Sequence, residues 1–141
     1  MQETFHLVVL TPYGRYLEGD ATFLNVRSED YDLGIYPGHA PLISTVSICK
    51  MIIRFGKEQY IYAVGGGIIN IEKEKITLIL DSVERSDEID LARAQEAKKR
   101  AEDRLKSNNA DEVDVKRAKL ALLRALNRLD IGKKINRNPK S

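Results

Sequence analysis

The sequence has one cysteine, no tryptophan and two histidines in 141 residues. A lone Cys49 excludes an internal disulfide framework and any zinc site built on a CxxC pair, and it points to a reducing compartment. His6 and His39 do not stand at metal-ligand spacing with it. No apolar run approaches the roughly 20 residues of a membrane-spanning helix. The opening residues, Met1-Gln2-Glu3-Thr4, carry no basic stretch ahead of an apolar core, so no signal peptide is expected. The phosphate-binding patterns GxxxxGKS, GxxxxGKT and GxGxxG are absent. Gly65-Gly66-Gly67 follows one strand-like run and precedes another, which reads as a bulge or close backbone approach rather than a phosphate cradle. No Ser-His-Asp or Cys-His arrangement emerges from spacing, and no catalytic site is expected.

What is present divides unevenly. Residues 1–86 hold 8 Lys and Arg against 11 Asp and Glu, a net charge of −3; residues 87–141 hold 15 against 10, a net charge of +5. Eight of the nine glycines precede residue 68, and the aromatics stop at Tyr62. Alanine and leucine dominate after Leu91. Coincident shifts in charge, glycine and aromatics mark two modules, with a boundary near Arg85–Asp87.

The first module, residues 1–86, reads as all-β, a sandwich or flattened barrel of short strands. Runs at 4–11, 21–27, 42–48, 50–55, 59–64, 68–71 and 76–80 are rich in Val, Ile, Thr, Tyr and Phe. Turns are expected at Pro12-Tyr13-Gly14, Gly19-Asp20, Phe55-Gly56-Lys57-Glu58 and Glu72-Lys73-Glu74-Lys75. His6 lies within a strand and reads as structural. Glu29 and Asp30 fall in an exposed loop.

The second module, residues 87–141, reads as an antiparallel two-helix hairpin. Ser86 or Asp87 is positioned to cap the first helix, and Leu91, Ala94, Ala101 and Leu105 recur at helical spacing. Ser107-Asn108-Asn109-Ala110 is the break, and Asp111 is positioned to cap the second helix. Val115, Ala118, Leu122, Ala125, Leu126 and Leu129 form its apolar stripe. Leu120, Leu123 and Val113 fall near the opposite side, as a second docking face or as ordinary scattered surface leucines. The basic residues after Gly132 are expected to fray.

The arginines repeat. Arg93, Arg100 and Arg104 are spaced seven then four, and so are Arg117, Arg124 and Arg128. In an antiparallel hairpin both sets flank the apolar seam. Two readings stand. Either each guanidinium is solvated or paired with a carboxylate such as Glu96, or several converge on an anion, since converging cations repel without one and arginine suits phosphate.

Three segments then carry a resemblance spanning nearly the whole chain. Leu33-Gly34-Ile35-Tyr36-Pro37-Gly38-His39-Ala40-Pro41-Leu42 resembles the signature loop of the F-type ATP synthase epsilon subunits. Gly66-Gly67 after Tyr62-Ala63-Val64 is similar to that family's strand junction. Ile89-Asp90-Leu91-Ala92-Arg93-Ala94 resembles the family's IDxxRA motif. The resemblance implies a non-catalytic stalk subunit. Its β-module sits on the γ subunit beside the c-ring, and its mobile hairpin inhibits ATP hydrolysis when extended toward the α and β subunits. Expected γ and c-ring contacts are Glu29, Asp30, Tyr31, Asp32 and His39. Lys116, Arg117 and Lys119 are expected to meet an acidic segment of the β subunit. Some bacterial members bind ATP in the folded hairpin, and the matching positions here are Glu84, Ile89, Asp90, Arg93, Ala94, Arg100, Arg124 and Arg128. ATP is thus expected as a regulatory ligand, with or without Mg²⁺, and no obligatory cofactor. Ser82-Val83 departs from the Thr-Ala of many members and bears on affinity. The expected location is peripheral, on the cytoplasmic side of a bacterial plasma membrane. The competing reading is a nucleic-acid-binding module using the basic hairpin; the acidic first turns of both helices count against it.

Overall fold

The computed structural model describes residues 3–107 and 111–137, with side chains as far as Gly132. It divides into two compact units, one ending at Arg85 and the other beginning at Ser86.

The first unit has eight strands: β1 (Phe5–Thr11), β2 (Gly14–Ala21), β3 (Phe23–Arg27), β4 (Asp32–Ile35), β5 (Leu42–Phe55), β6 (Glu58–Ile71), β7 (Lys75–Leu80) and β8 (Val83–Arg85). They run in the order β2-β1-β7-β6-β5-β3-β4, with β8 also on β6. All pairs are antiparallel except β1 with β7. The register shows how one path of strands makes a two-layered sandwich. β7 pairs with Gly67–Ile71 of β6, whereas β8 pairs with Tyr62–Val64. β3 pairs with only Ile52–Arg54 of β5. The two long strands therefore serve one layer with one half and the other layer with the other half.

Side-chain alternation records the bend. In β5, Val46 faces inward and then Cys49, Met51 and Ile53 do, a shift from even to odd positions. In β6, Tyr62 and Val64 face inward and then Ile69 and Ile71. A slip of one residue flips which face is buried, and both slips fall where β5 and β6 cross between layers. The slip in β6 occupies the glycine triplet. Gly66 has φ +93°, a region costly for L-residues. A Cβ on Gly67 would lie 2.0 Å from the Ile79 carbonyl oxygen. The triplet is thus a close backbone approach, as the sequence suggested.

Leu7, Val9, Leu24, Val26, Ile35, Met51, Ile53, Ile69, Ile71, Ile76, Leu78 and Leu80 fill the space between the layers and are essentially inaccessible to water. Each contributes about 1.5–3 kcal/mol by burial. Cys49 joins them, and burial pushes its thiol pKa up.

Several expectations need correction. The runs at 42–48 and 50–55 are one strand, as are those at 59–64 and 68–71, because a bent strand keeps its ladder through the corner. Gly19-Asp20 is not a turn but the interior of β2, opposite Leu7 and His6. β2 escapes a hydrophobicity pattern because it is an edge strand with a largely exposed, charged face. β4 and β8 are too short to carry a pattern, and Asp32 opens β4 rather than closing a loop.

In the second unit a 3-10 turn (Ser86–Glu88) precedes α1 (Leu91–Leu105), and α2 covers Glu112–Arg137. Asp90, not Ser86 or Asp87, caps α1: its Oδ1 accepts the Arg93 backbone N–H at 3.1 Å. Asp111 caps α2 as expected, accepting from the Asp114 N–H at 2.8 Å. α2 runs on past Gly132, after which fraying was expected, to Arg137. Leu126 is 43% exposed and so leaves the apolar stripe assigned to it. Residues 108–110 of the expected break, and the tail from residue 138, lie outside the described residues.

The close approach at Gly67 yields a direct test. Gly67→Ala forces a backbone clash and is expected to destabilise the chain by about 3 kcal/mol or more in urea unfolding. Gly34→Ala, whose Cβ would meet the Phe23 ring at an ordinary 3.7 Å, is expected to cost about 1 kcal/mol or less. Equal losses would contradict the assignment.

Candidate functional site

The hairpin is built on small residues. Ala94 and Ala101 on α1, and Ala118 and Ala125 on α2, are each seven apart and almost wholly buried. Alanine at every second turn lets two helices approach closely. Gly132 extends the seam. A Cβ there would come within 2.7 Å of Leu91 Cδ2 and 3.1 Å of Ile89 Cγ2. The glycine is therefore a packing residue against the entrance to α1, which is why it does not end the helix.

That approach opens a groove on one side of the hairpin. A cleft of about 640 Å³ has an alanine floor of Ala97, Ala101, Ala118 and Ala121, with Arg100, Arg104 and Arg117 on its walls. Asp103 and Ser107 complete its lining. The helix period carries the same faces along the groove. Arg93 lies seven residues before Arg100, and Arg124 and Arg128 lie seven and eleven after Arg117. Two contacts fix the register: Gly132 against Ile89 at one end, and Arg104 with Arg117 on one cleft at the other. Between them Arg93 falls level with Arg128, and Ala97 with Arg124. Arg93 and Arg100 are then about 10 Å apart along the axis. Both are exposed, whereas Arg124 and Arg128 are half-buried and engaged by neighbouring groups.

The sequence-predicted positions separate accordingly. Arg100 lines the cleft; Arg93, Arg124 and Arg128 follow the same helix faces by period but lie beyond its lining. Asp90 is exposed with one carboxylate oxygen committed to its helix cap. Ile89 is half-buried beside Gly132, and Ala94 is fully buried in the seam. Glu84 belongs to β8 in the first unit, opposite Ala63. Arg117 turns toward the groove, while Lys116 and Lys119 are exposed outside it with Val113, Leu120 and Leu123. Arg104 and Arg117 are wall residues that the assigned nucleotide set omitted; their seven-then-four spacing was the signal for them. Among the described residues no cluster of His, Cys, Asp and Glu could hold a metal ion.

In the first unit, Glu29, Asp30 and Tyr31 form a tight turn around Ser28, whose hydroxyl oxygen accepts from the Asp30 and Tyr31 N–H groups at 3.4 and 3.3 Å. Ser28 itself is buried, so the turn is rigid at its root, with Glu29, Asp30, Tyr31 and Asp32 projecting to water. His39 follows Gly38, which has φ +86°, and its Nδ1 lies 2.8 Å from the Ala40 carbonyl oxygen.

A second surface was not anticipated. The register sets residues of the first layer's outer face in rows across the strands. One row runs Arg15, Leu10, Ile79, Ile68, Thr45. The next runs Glu18, Val8, Thr77, Asn70, Ile43. Ile43, Ile68 and Ile79 are 72%, 49% and 54% exposed. Neighbouring isoleucines thus stand exposed on one outer sheet face. Ile68 and Ile79 break the alternation expected of a half-solvated strand, and that was the available sequence signal.

Comparison with known proteins agrees in both units. Residues 4–86 match the family model described as the ATP synthase, Delta/Epsilon chain, beta-sandwich domain, and residues 87–133 match the ATP synthase, Delta/Epsilon chain, long alpha-helix domain. The chain is 41% identical over 105 residues to the ATP synthase epsilon chain of Priestia megaterium, covering 74% of this chain and 78% of that one. It is 37% identical over 128 residues to that of Halalkalibacterium halodurans, covering 91% and 96%. A chain from the Euglena gracilis mitochondrial ATP synthase OSCP/F1/c-ring structure shares the fold at TM-score 0.73 and 16% identity, covering 85% of this chain and 76% of that one. One from the Tetrahymena thermophila central stalk and c-ring does so at TM-score 0.62 and 15% identity, covering 93% and 98%. With both domains matched in order, the chain belongs to the ATP synthase delta/epsilon family, as a bacterial F-type epsilon subunit.

Proposed function

We propose that this epsilon subunit couples the γ and c-ring rotor to the catalytic head, and restrains ATP hydrolysis through a hairpin whose compact form is held by ATP. The observation that carries the regulatory reading is the groove: arginines from both helices line one open cleft over an alanine floor. Its walls offer paired donors to phosphate oxygens, and its floor offers apolar surface to a base. Only the folded hairpin places α1 and α2 arginines side by side, so a bridging anion favours that state by its differential affinity. The subunit performs no chemistry of its own in this reading and works at the cytoplasmic face of the membrane. Among the described residues no helix is long and apolar enough to cross a membrane.

Docking to γ is supported by the exposed isoleucine face, with the Glu29–Asp32 turn and His39 as polar contacts to γ and the c-ring. Lys116 and Lys119, beside exposed Leu120 and Leu123, suit an acidic partner on the β subunit. Arg117 was expected at the β subunit, and its place in the cleft lining suits the anion instead.

Three outcomes follow. ATP is expected to bind the isolated chain without being hydrolysed. Arg93→Ala or Arg128→Ala should weaken binding about tenfold or more in calorimetric titration, one charge-assisted contact being worth about 1.5–3 kcal/mol. Equal affinities would place Arg93 and Arg128 outside the ligand site. Deleting residues 87–141 is expected to raise ATP hydrolysis by the assembled synthase, and charge reversal at Lys116 and Lys119 to raise it in part; unchanged rates in both would remove the inhibitory role. Ile68→Asp is expected to weaken binding of the full chain to γ by about tenfold or more. An unaltered affinity would place γ elsewhere.

A further inference from the structure

The charged end of that same outer face holds an arrangement with a consequence of its own. His6 on β1 stands directly opposite Asp20 on β2 and one step diagonally from Glu18. Its Nε2 lies 2.6 Å from Glu18 Oε2, and its Nδ1 lies 3.3 Å from Asp20 Oδ1. Both ring nitrogens thus face carboxylate oxygens. A neutral imidazole has one N–H and donates to only one of them; the imidazolium donates to both. The geometry selects the charged ring. Arg15 pairs with the other oxygen of Glu18. On the opposite side of β1, Lys75 of β7 is in register with His6, and the His6 backbone N–H donates to the Glu74 carbonyl.

We propose that His6, Glu18 and Asp20 form a proton-operated clasp that fastens edge strand β2 to the body of the sheet. Among the described residues β2 has only β1 as a ladder partner; Leu17 and Ala21 also seat it on the core and Tyr16 meets the Tyr62 ring, so the clasp adds to that packing along the one ladder. Loss of the ring proton removes one of the two side-chain bonds. It also leaves Glu18 and Asp20, two residues apart on one strand face, with Arg15 and Lys75 as the nearby cations. The carboxylate of Glu18, then that of Asp20, raises the His6 pKa above its ordinary value, and His6 in turn lowers that of Glu18. The sign follows. The histidine contribution is complete below the ordinary histidine value of about 6.5 and is lost as pH rises through the raised one. The Glu18 contribution is complete above the ordinary glutamate value of about 4.3 and is lost as pH falls through the lowered one. The clasp is closed between those limits and opens on the alkaline side. Because Arg15 of β2 also ends the apolar row through Leu10, opening loosens one border of the isoleucine face. That last consequence rests on reading the face as a docking surface; the clasp does not.

The test uses the free, full-length chain. The His6 ring resonances and the exchange protection of β2 amides, taken relative to those of β6, are followed by NMR from about pH 5.5 to about pH 8.5, a window spanning histidine titration. His6 is expected to titrate above about 6.5, and relative β2 protection to fall by roughly two- to fivefold through the same midpoint, as suits an exposed ion pair. Glu18→Gln with Asp20→Asn is expected to return the midpoint toward the ordinary value and abolish the pH dependence. His6→Gln is expected to abolish it as well. An ordinary His6 midpoint in the wild type, β2 protection that tracks β6 at every pH, or pH dependence that survives His6→Gln would each overturn the clasp. Titrating γ binding of the wild type over the same range separates the docking consequence, since the clasp stands on the free chain alone.

Discussion

Two helices present their arginines to one small anion only if their axes run close together, and Ala94, Ala101, Ala118 and Ala125 set that distance. Larger side chains at these positions would widen the groove and part its walls. The same choice limits what the hairpin gains by folding. An alanine methyl removes little apolar area from water, whereas each β-module isoleucine or leucine contributes about 1.5–3 kcal/mol. Close packing also brings like charges toward one another along the groove. In the proposed function, an anion that bridges the walls of a hairpin assembled this way would shift its balance toward the compact form. Narrow spacing, modest burial and gathered charge are what the proposed ligand response would draw on.

The β-module is built on the opposite principle. Its core is dense in Ile, Leu and Val, and none of its described buried side-chain polar atoms lacks a partner. Gly67 admits the Ile79 carbonyl where no side chain fits, and so allows β6 to leave one layer and enter the other. That bend carries β5 and β6 through both layers and places Ile68 and Ile79 side by side on an outer face. Rigid strands then hold an exposed apolar row in fixed register, as a docking platform requires.

Much of this was legible in the residues, and what was not has physical causes. The division into a β-module and a helical hairpin was readable because glycine, aromatics and charge all change together. The arginine faces were readable because seven-then-four spacing needs only the helix period. Strand β2 was hidden because an edge strand bears Arg15, Glu18 and Asp20 where a central strand would bear valines. The continuity of β5 and β6 was hidden because a change of inward phase at a bend looks like two short strands. The packing role of Gly132 was hidden because it lies in Ile89 and Leu91, more than forty residues away along the chain, and spacing cannot report such a contact. Leu126 followed the apolar stripe by angle alone, but the narrow alanine seam buries fewer positions than a leucine seam would.

The central claim is that one ligand spans both helices and thereby stabilises the folded hairpin. Amide hydrogen exchange of the full-length chain, with and without ATP, tests this most directly because it reads each helix separately. The account predicts that ATP slows exchange along both α1, from Arg93 to Arg104, and α2, from Arg117 to Arg128, while β6 and β7 in the β-module stay unchanged. Protection confined to one helix, or none in either at saturating ATP, would contradict it.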